Sequence, residues 1–510
     1  MSGPPPPADL VPHDAGADRD QASDAASEDR RSATRRLVLA VATVALLHGL
    51  LWTILIPPFQ APDETEHFAY AQYLAETARL PPKVGNPQYS SEEIAAFNAL
   101  GTVGITGAYG VKPPATEASA DAAEAAVEVA EELPRDDGGG PSTASAQPPL
   151  AYALWAIPYR VGADGSILTR LWLMRLLSLA CFVATAVGAA LLARELLPSW
   201  RWAGMVGGLL VALQPAVAFI AVSINPDTLL FAVSTWALLV AVRSVRHGLT
   251  RRRALALGVL AGAGMVTKLT FAGLVPGLLL ALVFGLRRAR TDRVRLGATA
   301  IGAAAVLPVV YLAWALLQGR GLLPVAAGTP VLPVEQQATG SLTGLISYAW
   351  QLYLPRLPFM HDFFGFFPPY TTWIGGFVGR LGWLDYGLRG WIYDAAAVIL
   401  AGALVLVLVA LSRAQRLRRN WRVLAVFALC ALGLAAQIAW VGYDYRNKTG
   451  FVFEQTRYLY PMIGVYATGM VTACAALGRR GGPVLAAAFI GVACLHTLAA
   501  VFATVARYYG

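Results

Sequence analysis

Long apolar runs, separated by short arginine-rich links, are the feature that most constrains how this chain can fold. Each run approaches the roughly 20 residues that a helix needs to cross the hydrocarbon core of a bilayer. Only 14% of the 510 residues are charged and 56% are hydrophobic, whereas about 25% are charged in an ordinary soluble domain. We therefore predict an all-α polytopic membrane protein with about eleven transmembrane helices. The predicted spans are 37–57, 167–192, 202–222, 228–244, 254–270, 271–287, 297–317, 391–411, 422–441, 459–477 and 483–506.

The positions of the arginines predict the orientation of these spans. Arginine carries most of the formal net charge of +9. If the spans alternate strictly, every arginine cluster falls on the side of the N-terminus, which the positive-inside rule makes cytoplasmic. Isolated clusters between apolar runs do not form the continuous basic face that nucleic acid requires, so we expect no nucleic-acid partner. The preference for arginine over lysine, with abundant alanine, favours a bacterial cytoplasmic (inner) membrane.

Composition divides the chain into four regions. Residues 1–34 are rich in Pro, Ala, Asp and Ser without apolar periodicity, which predicts a disordered cytoplasmic tail. A membrane core at 35–317 contains a first extracytoplasmic loop, 58–166, with an Ala/Glu-rich insertion at 115–146. A second extracytoplasmic segment, 318–390, is dense in aromatic residues and prolines, which favours interfacial helices. The last region, 391–510, consists of C-terminal transmembrane helices.

The stretch PPFQAPDETEHF, which follows the first span, places three carboxylates and a histidine at the membrane surface. One interpretation is local. Asp63, Glu64 and Glu66 would occupy the first turn of a helix, where acids interact favourably with its positive end. The other interpretation is chemical. On a helix, Asp63, His67 and Tyr70 share one face, which combines an acid, an imidazole and a phenol. The spacing alone leaves both interpretations open.

Six short motifs occur in order along the chain. They are PDETEH at 62–67, QPPL at 147–150, RLLSL at 175–179, NPD at 225–227, TKLT at 267–270 and RYLYP at 457–461. In order, spacing and outer position they resemble the GT-C superfamily of integral-membrane glycosyltransferases, in particular its DUF2142-type and protein-mannosyltransferase-like branch. The resemblance covers residues 37–480. It departs from the family pattern at Ala146, where histidine is common, and at Ala151, where an aromatic residue is usual.

The resemblance implies an inverting transfer of a sugar from a polyprenyl-phosphate-linked donor to an acceptor hydroxyl on the extracytoplasmic face. The acceptor would be a glycan, a glycolipid or a protein, and membrane lipid would be the other partner. By resemblance the general base is Asp63, with Glu64 as the alternate. Some branches of the superfamily need a divalent cation and others do not, and the sequence leaves both open. If one is used, Asp63, Glu64 and His67 would hold Mg²⁺ or Mn²⁺, since carboxylates are the hard ligands that such ions prefer.

Cations at the outer ends of spans would bind the donor phosphate, and the candidates are Arg175, Lys268 and Arg457. Lys268 is the most specific of them because no other predicted span contains a lysine, and a charge in that setting indicates function. The alternative for each is that the side chain simply extends to the polar interface. The predicted supporting residues are Glu66, His67, Tyr70, Gln147, Asn225, Asp227, His361 and Asp362.

Two other classes of function compete with an enzyme. A polytopic transporter or flippase for a lipid-linked saccharide would place polar groups near the bilayer midplane and broken helices in matched halves. A membrane scaffold protein would need no acidic motif. In this chain the charged residues gather at the outer ends of the predicted spans, which favours a reaction at the surface over passage through the membrane.

Overall fold

The computed structural model describes residues 15–82, 85–108, 110–113, 117–290, 292–319, 332–412 and 414–510. Over these residues every regular element is helical, and the only β contact is an isolated bridge between Leu381 and Tyr386. The chain divides into two units, Met1–Ala40 and Val41–Gly510. The prediction of an all-α polytopic membrane protein is confirmed.

The helices follow one another along the whole described chain. They are α1 (Ala15–Leu55), α2 (Glu64–Thr77), α3 (Ser91–Ala99), α4 (Thr102–Ile105), α5 (Glu117–Ala130), α6 (Leu150–Val161), α7 (Ile167–Leu196), α8 (Ala203–Ala212), α9 (Pro215–Ala221), α10 (Pro226–His247), α11 (Arg251–Thr267), α12 (Val275–Arg287), α13 (Arg293–Leu317), α14 (Leu342–Tyr353), α15 (Gly376–Val378), α16 (Gly390–Ser412), α17 (Ala414–Thr449), α18 (Ile463–Ala476) and α19 (Gly478–Tyr508).

Helix α1 begins inside the segment that its composition predicts to be disordered. Residues 15–34 contain many alanines together with arginines and glutamate, which have high helix propensity, so a helix forms there without apolar periodicity. The predicted tail 1–34 therefore differs from the structure from Ala15 onward. Residues 1–14 lie outside the described residues.

Nine helical segments in the described chain are long and apolar enough to cross a membrane. Helices α8 and α9 make a tenth span if they are counted as one, since they are long and apolar enough only together and are bent by 64° at the break between them. Pro215 explains this break, because its ring and missing N–H prevent α8 from continuing. The carbonyl groups freed at the break are bonded inside the bundle: Ala212 contacts His48 Nδ1 at 2.6 Å, and Leu213 accepts from the Thr497 hydroxyl at 2.8 Å.

The predicted span 254–270, the fifth in chain order, corresponds to α11, which is too short to be counted among these spans. Its 17 residues extend about 26 Å, less than the ~30 Å hydrocarbon core. Helix α11 ends at Thr267 because Lys268 adopts an extended conformation, and the 3-10 turn Leu269–Leu274 then leads into α12. The apolar run from 254 to 286 is thus interrupted at its only charged residue, Lys268.

Ion pairs show that successive helices alternate in direction. Asp227 at the start of α10, Lys268 after α11 and Arg457 before α18 meet at one end of the bundle. Glu195, at the end of α7, pairs with Arg243 at the other end, where α10 finishes. The arginine-rich links and the acidic motif therefore lie at opposite ends, as the sequence pattern predicts.

The chain between α1 and α7 folds into a layer of helices, α2 to α6, at the end of the bundle that carries the acidic motif. Its apolar core includes Phe68 and Tyr70 of α2 and Tyr152 of α6. The Ala/Glu-rich insertion belongs to this layer, because Val127 and Ala130 of α5 are buried in the same core. Its first residues, 115 and 116, lie outside the described residues.

Two adjacent acids anchor α3 in this layer in different ways. Glu92 accepts from Arg170 at 2.5 Å and from the Gln72 amide at 2.8 Å, in a fully buried cluster. Glu93 instead accepts from the backbone N–H of Ser90 at 2.7 Å and completes a capping box. Its second oxygen has no hydrogen-bond partner.

The second long segment between spans contains α14, a π-helical turn at Pro369–Gly375 and α15. Helix α14 is two-sided: Tyr348 and Leu352 are buried, whereas Leu342 and Ile346 are largely exposed. An exposed apolar face of this kind suits a membrane interface, and the interfacial placement of this segment stays a prediction. Residues 320–331 of this segment lie outside the described residues.

Candidate functional site

The backbone at Asp63 separates its carboxylate from the helix that follows. Asp63 is the residue before α2 and has φ 61°, in the left-handed region that few residues other than glycine adopt, although aspartate tolerates it. Its side chain makes no capping hydrogen bond to the helix. Instead the carboxylate accepts from Arg457 Nη2 at 2.6 Å. The local interpretation, in which the acids serve to start a helix, therefore does not account for the contacts of the Asp63 side chain.

Asp63 is the first member of a row of four alternating charges, which we call the charged row: Asp63, Arg457, Asp227 and Lys268. Arg457 Nε lies 3.7 Å from Asp227 Oδ2, and Lys268 Nζ donates to Asp227 Oδ1 at 2.8 Å. The Asp63 side chain is 25% exposed and that of Asp227 is fully buried. The row thus runs from a partly open carboxylate into the protein interior.

The charged row contains unused hydrogen-bonding capacity. Among the described residues, Arg457 Nε and Nη1 and Asp227 Oδ2 are buried and have no hydrogen-bond partner. A buried guanidinium N–H without an acceptor costs free energy, and native proteins rarely leave such groups unpaired. Arg457 therefore has two donors available for an anion next to Asp63.

Neighbouring residues hold the row in place. Asn225 caps α10 by accepting from the backbone N–H of Asp227 at 3.0 Å, and its amide contacts the Pro62 carbonyl at 3.5 Å. The Tyr458 ring faces both cations, with Lys268 Nζ 5.4 Å and the Arg457 guanidinium carbon 5.7 Å from the ring centroid. These contacts bring together the predicted residues Asp63, Asn225, Asp227, Lys268 and Arg457; Tyr458 was not predicted, although it lies within the RYLYP motif.

Glu64, the next residue after Asp63, is occupied in a different way. Both of its oxygens accept from Arg175, at 2.9 and 2.5 Å, and one also accepts from the backbone N–H of Ile224 at 3.2 Å. Arg175 also donates to the carbonyls of Ile56 and Pro57, at 2.8 and 3.0 Å. Both side chains are buried. This geometry leaves Glu64 and Arg175 buried and bonded to each other, so it does not support the predicted roles of Glu64 as the alternate base and of Arg175 as a phosphate ligand.

The predicted metal ligands do not assemble into a metal site. Glu64 is bound to Arg175, and Asp63 is bound to Arg457. In the part of the chain that the structure describes, no group of three or more His, Cys, Asp or Glu residues could hold a metal ion. The side chains of Asp63, Glu64 and His67 therefore do not fit a three-ligand site for Mg²⁺ or Mn²⁺, and no step proposed below passes through a metal.

His67 and Tyr70 contact Tyr152 of α6. His67 Nδ1 lies 2.9 Å from the Tyr152 hydroxyl, and the Tyr70 ring stacks on Tyr152 with centroids 3.7 Å apart. The Tyr70 hydroxyl contacts the Gln147 carbonyl at 3.4 Å. Burial lowers the pKa of His67 to about 3, more than the nearby Asp63 carboxylate raises it. The imidazole is therefore neutral at physiological pH. Tyr152, which follows the QPPL motif by two residues, was missed by the sequence analysis.

The remaining acids near the motif differ in their environment. Burial raises the pKa of Asp63, but the Arg457 guanidinium, assisted by Lys268, outweighs this effect and holds the pKa below its usual value. Burial also raises the pKa of Glu66, only partly offset by a hydrogen bond from Thr143, so this pKa lies above its usual value. Asp63 therefore gives up its proton more readily than Glu66.

His361 and Asp362 lie in an exposed turn and do not join the charged row. Asp362 accepts from the backbone N–H groups of Phe364 and Gly365, at 3.1 and 2.9 Å, and lies 3.9 Å from Arg356. Its pKa is lowered chiefly by these backbone hydrogen bonds. The geometry indicates a structural role in a turn, which corrects the prediction that these two residues support the site.

A cavity of about 70 Å³ adjoins the charged row. Pro62 and Arg457 line one side of it, and the second long segment supplies the opposite wall with Thr371, Thr372 and Arg380. Arg380 is exposed. The cavity therefore connects the acidic motif to the aromatic segment, and a polar group entering it would meet Arg457.

Comparison with known families gives one match, a family described as Predicted membrane protein (DUF2142), over residues 46–465. No curated protein and no solved structure matches the chain. The matched range includes every member of the charged row together with the Glu64–Arg175 pair. The chain therefore belongs to the DUF2142 family of predicted membrane proteins.

Proposed function

We propose that this protein transfers a sugar from a polyprenyl-phosphate donor to an acceptor hydroxyl on the extracytoplasmic face of a bacterial cytoplasmic membrane. The proposal draws on the resemblance of the six motifs to the GT-C glycosyltransferases. One observation carries it: a partly exposed carboxylate, Asp63, sits beside a buried guanidinium, Arg457, that has two unpaired donors.

The cations of the charged row suit a lipid phosphate. A guanidinium presents N–H groups in a planar fork that matches phosphate oxygens, and charge-assisted bonds of this kind are among the strong ones. Lys268 adds a second positive charge, held 2.8 Å from Asp227. The row lies at the end of membrane-spanning helices, so a phosphate could meet it while its polyprenyl chain stays in the bilayer.

The proposed reaction is a single displacement. The acceptor hydroxyl oxygen attacks the anomeric carbon, the bond from that carbon to the phosphate oxygen breaks, and its electron pair remains on the phosphate. The hydroxyl proton passes to the Asp63 carboxylate, which later returns it to water. The products are an inverted glycoside and polyprenyl phosphate, whose additional negative charge is stabilised by Arg457 and Lys268.

General-base catalysis of this type requires position more than basicity. A carboxylate of low pKa is a weak base, but one held within hydrogen-bonding reach of the reacting hydroxyl contributes about 10²–10⁴-fold. Asp63 is fixed by its left-handed backbone and by its bond to Arg457. Neutral His67 lies on the same helix and can position the acceptor without competing for the proton.

The test is transfer by the full-length protein in lipid nanodiscs, supplied with radiolabelled polyprenyl-phosphate sugars and a membrane extract as acceptor. We expect Asp63→Asn to lose transfer by 100-fold or more, because the base is removed with little change of shape. The matched control is Asp444→Asn, which should retain full activity. Asp444 is half-exposed on α17 and pairs with Lys448. Transfer that survives Asp63→Asn would remove this residue as the base.

The alternative function is that of a transporter or flippase. The bent helix pair α8–α9 is the feature of this chain that resembles the broken helices of such proteins. The same variant separates the two classes. Movement of a fluorescent lipid-linked saccharide across vesicles should be absent in wild-type protein if the enzyme proposal is right. Saccharide movement that continues in Asp63→Asn, with no transfer in either protein, would favour the transporter.

A further inference from the structure

The charged row also bears on the order in which substrates bind, and this step rests on the proposed function. We infer that Asp63 and the donor phosphate compete for the Arg457 guanidinium, so that the arriving phosphate releases the carboxylate for catalysis. Arg457 is then both a phosphate ligand and a positioning residue that withholds the base until the donor is bound.

The first support is that a single hydrogen bond holds the two side chains together. Arg457 bonds to Asp63 through Nη2 alone, while Nε and Nη1 lack hydrogen-bond partners in the described residues. A carboxylate can accept a bidentate pair from arginine, and Arg175 forms such a pair with Glu64. The Asp63–Arg457 contact is therefore an incomplete pair, which a ligand with three or four oxygens can replace by a better one.

The second support is that, among the described residues, Asp63 is the only carboxylate hydrogen-bonded to Arg457, whose other close neighbour is the uncharged Tyr458 side chain. Asp227 is 3.7 Å from Nε, beyond hydrogen-bonding distance, and it is already bonded to Lys268. The guanidinium is thus free to shift toward an anion in the adjoining cavity, which it lines together with Thr456. Asp227 and Lys268 keep their mutual bond when that shift occurs.

Release of the carboxylate also changes its chemistry in the useful direction. Burial raises the pKa of Asp63, and the positive charge of Arg457 opposes this effect. When the phosphate neutralises Arg457, the positive charge that lowers the pKa of Asp63 is compensated, and the carboxylate becomes a stronger base. The base is therefore strengthened only when the leaving group is in place, which predicts that the donor binds before the acceptor.

The experiment measures the affinity of farnesyl phosphate, a short lipid monophosphate, for the full-length protein in nanodiscs by titration calorimetry. We expect Asp63→Asn to bind it about tenfold more tightly than wild type, a change of about 1.4 kcal/mol, because the competing carboxylate is gone. Arg457→Gln should lose binding at least tenfold. Inorganic phosphate, titrated in parallel, separates headgroup recognition from the contribution of the lipid chain.

The matched control is Glu66→Gln, which removes another nearby carboxylate that interacts electrostatically with Asp63 but is bonded to Thr143. We expect less than a twofold change in affinity. Equal tightening in Glu66→Gln and Asp63→Asn would overturn the inference, because general electrostatics would then explain both. Unchanged or weaker binding in Asp63→Asn would also overturn it.

The outcomes for this inference and for the proposed function are distinct. If Asp63→Asn abolishes transfer while its affinity for farnesyl phosphate equals that of wild type, competition is refuted and the base assignment stands. If wild-type protein and all variants fail to bind the probe, both proposals fall. Should Asp63→Asn not yield folded protein, Asp63→Ser removes the same charge and replaces it in every comparison.

Discussion

Two adjacent carboxylates, Asp63 and Glu64, form ion pairs that differ in how completely their hydrogen bonds are satisfied. Glu64 and Arg175 satisfy each other completely, with two bonds between them and further bonds to the backbone. Asp63 and Arg457 share one bond and leave two guanidinium donors unpaired. A saturated pair joins the ends of helices, whereas an unsaturated pair keeps capacity for a ligand. Hydrogen-bond satisfaction, more than charge, distinguishes Glu64 from Asp63, the acid that we propose as the general base.

The comparison is tested most strongly by making the same change at both positions. Glu64→Gln should lower the free energy of unfolding by about 3–5 kcal/mol, because Arg175 is left as an uncompensated buried charge. Asp63→Asn should cost less than half of that, since its carboxylate is partly exposed and Arg457 is already incompletely paired. Unfolding by a denaturing detergent in mixed micelles measures both. Equal losses at the two positions would show that the pairs do not differ.

The layer of helices α2 to α6 contains a second pair of adjacent acids, Glu92 and Glu93, which also differ in how completely they are hydrogen-bonded. Burial raises the pKa of Glu93 to about 8, from an ordinary value of 4.5. Between these two pH values the folded protein retains a proton that the unfolded chain has lost. Stability should therefore fall as pH rises from about 5 to 8, by on the order of 3–4 kcal/mol, and level off above that range.

Glu93→Gln is the control for this pH dependence, because its amide keeps the shape and cannot titrate. Thermal unfolding of the variant should show a flatter profile between pH 5 and 8 than wild type. An identical slope in wild type and Glu93→Gln would show that another group is responsible.

The smallest expected effect separates the cations of the two pairs. Lys268→Met should weaken farnesyl phosphate binding by its folded fraction about tenfold, or about 1.4 kcal/mol. Arg175→Met should lose stability, while its folded fraction binds with unchanged affinity. Calorimetry and thermal unfolding on the same samples distinguish the two. Weakened binding in Arg175→Met would return that residue to the phosphate site.

Much of the fold follows from the sequence because helix periodicity and arginine placement are local signals. The spans and their alternation were accessible in this way, whereas the boundary predicted between 270 and 271 lies at Lys268 in the structure. The helical start at Ala15 was not, since a polar alanine-rich segment has the composition of a disordered chain and also the propensity of a helix. The prediction of about eleven spans exceeds the nine or ten found because α11 is short.

The candidate site was predictable in its membership and not in its pairing. Asp63, Asp227, Lys268 and Arg457 were all expected near the outer ends of spans, and the structure brings them together. Which of two neighbouring acids would bind which arginine depends on one backbone angle, φ 61° at Asp63. No periodic pattern encodes that angle. Tyr152 was missed for a related reason, because stacking with Tyr70 depends on how α2 packs against α6.

The separation of these partners along the chain has a consequence for biosynthesis. Glu64 and Arg175 are 111 residues apart, whereas Asp63 and Arg457 are 394 residues apart. At a synthesis rate of about 5–20 residues per second, the second partner of Asp63 emerges some 20–80 s after Asp63 itself. A ribosome-bound intermediate can therefore form the Glu64–Arg175 pair early, while Asp63 still lacks Arg457. Under the proposed function, truncated chains would be inserted into the membrane but inactive.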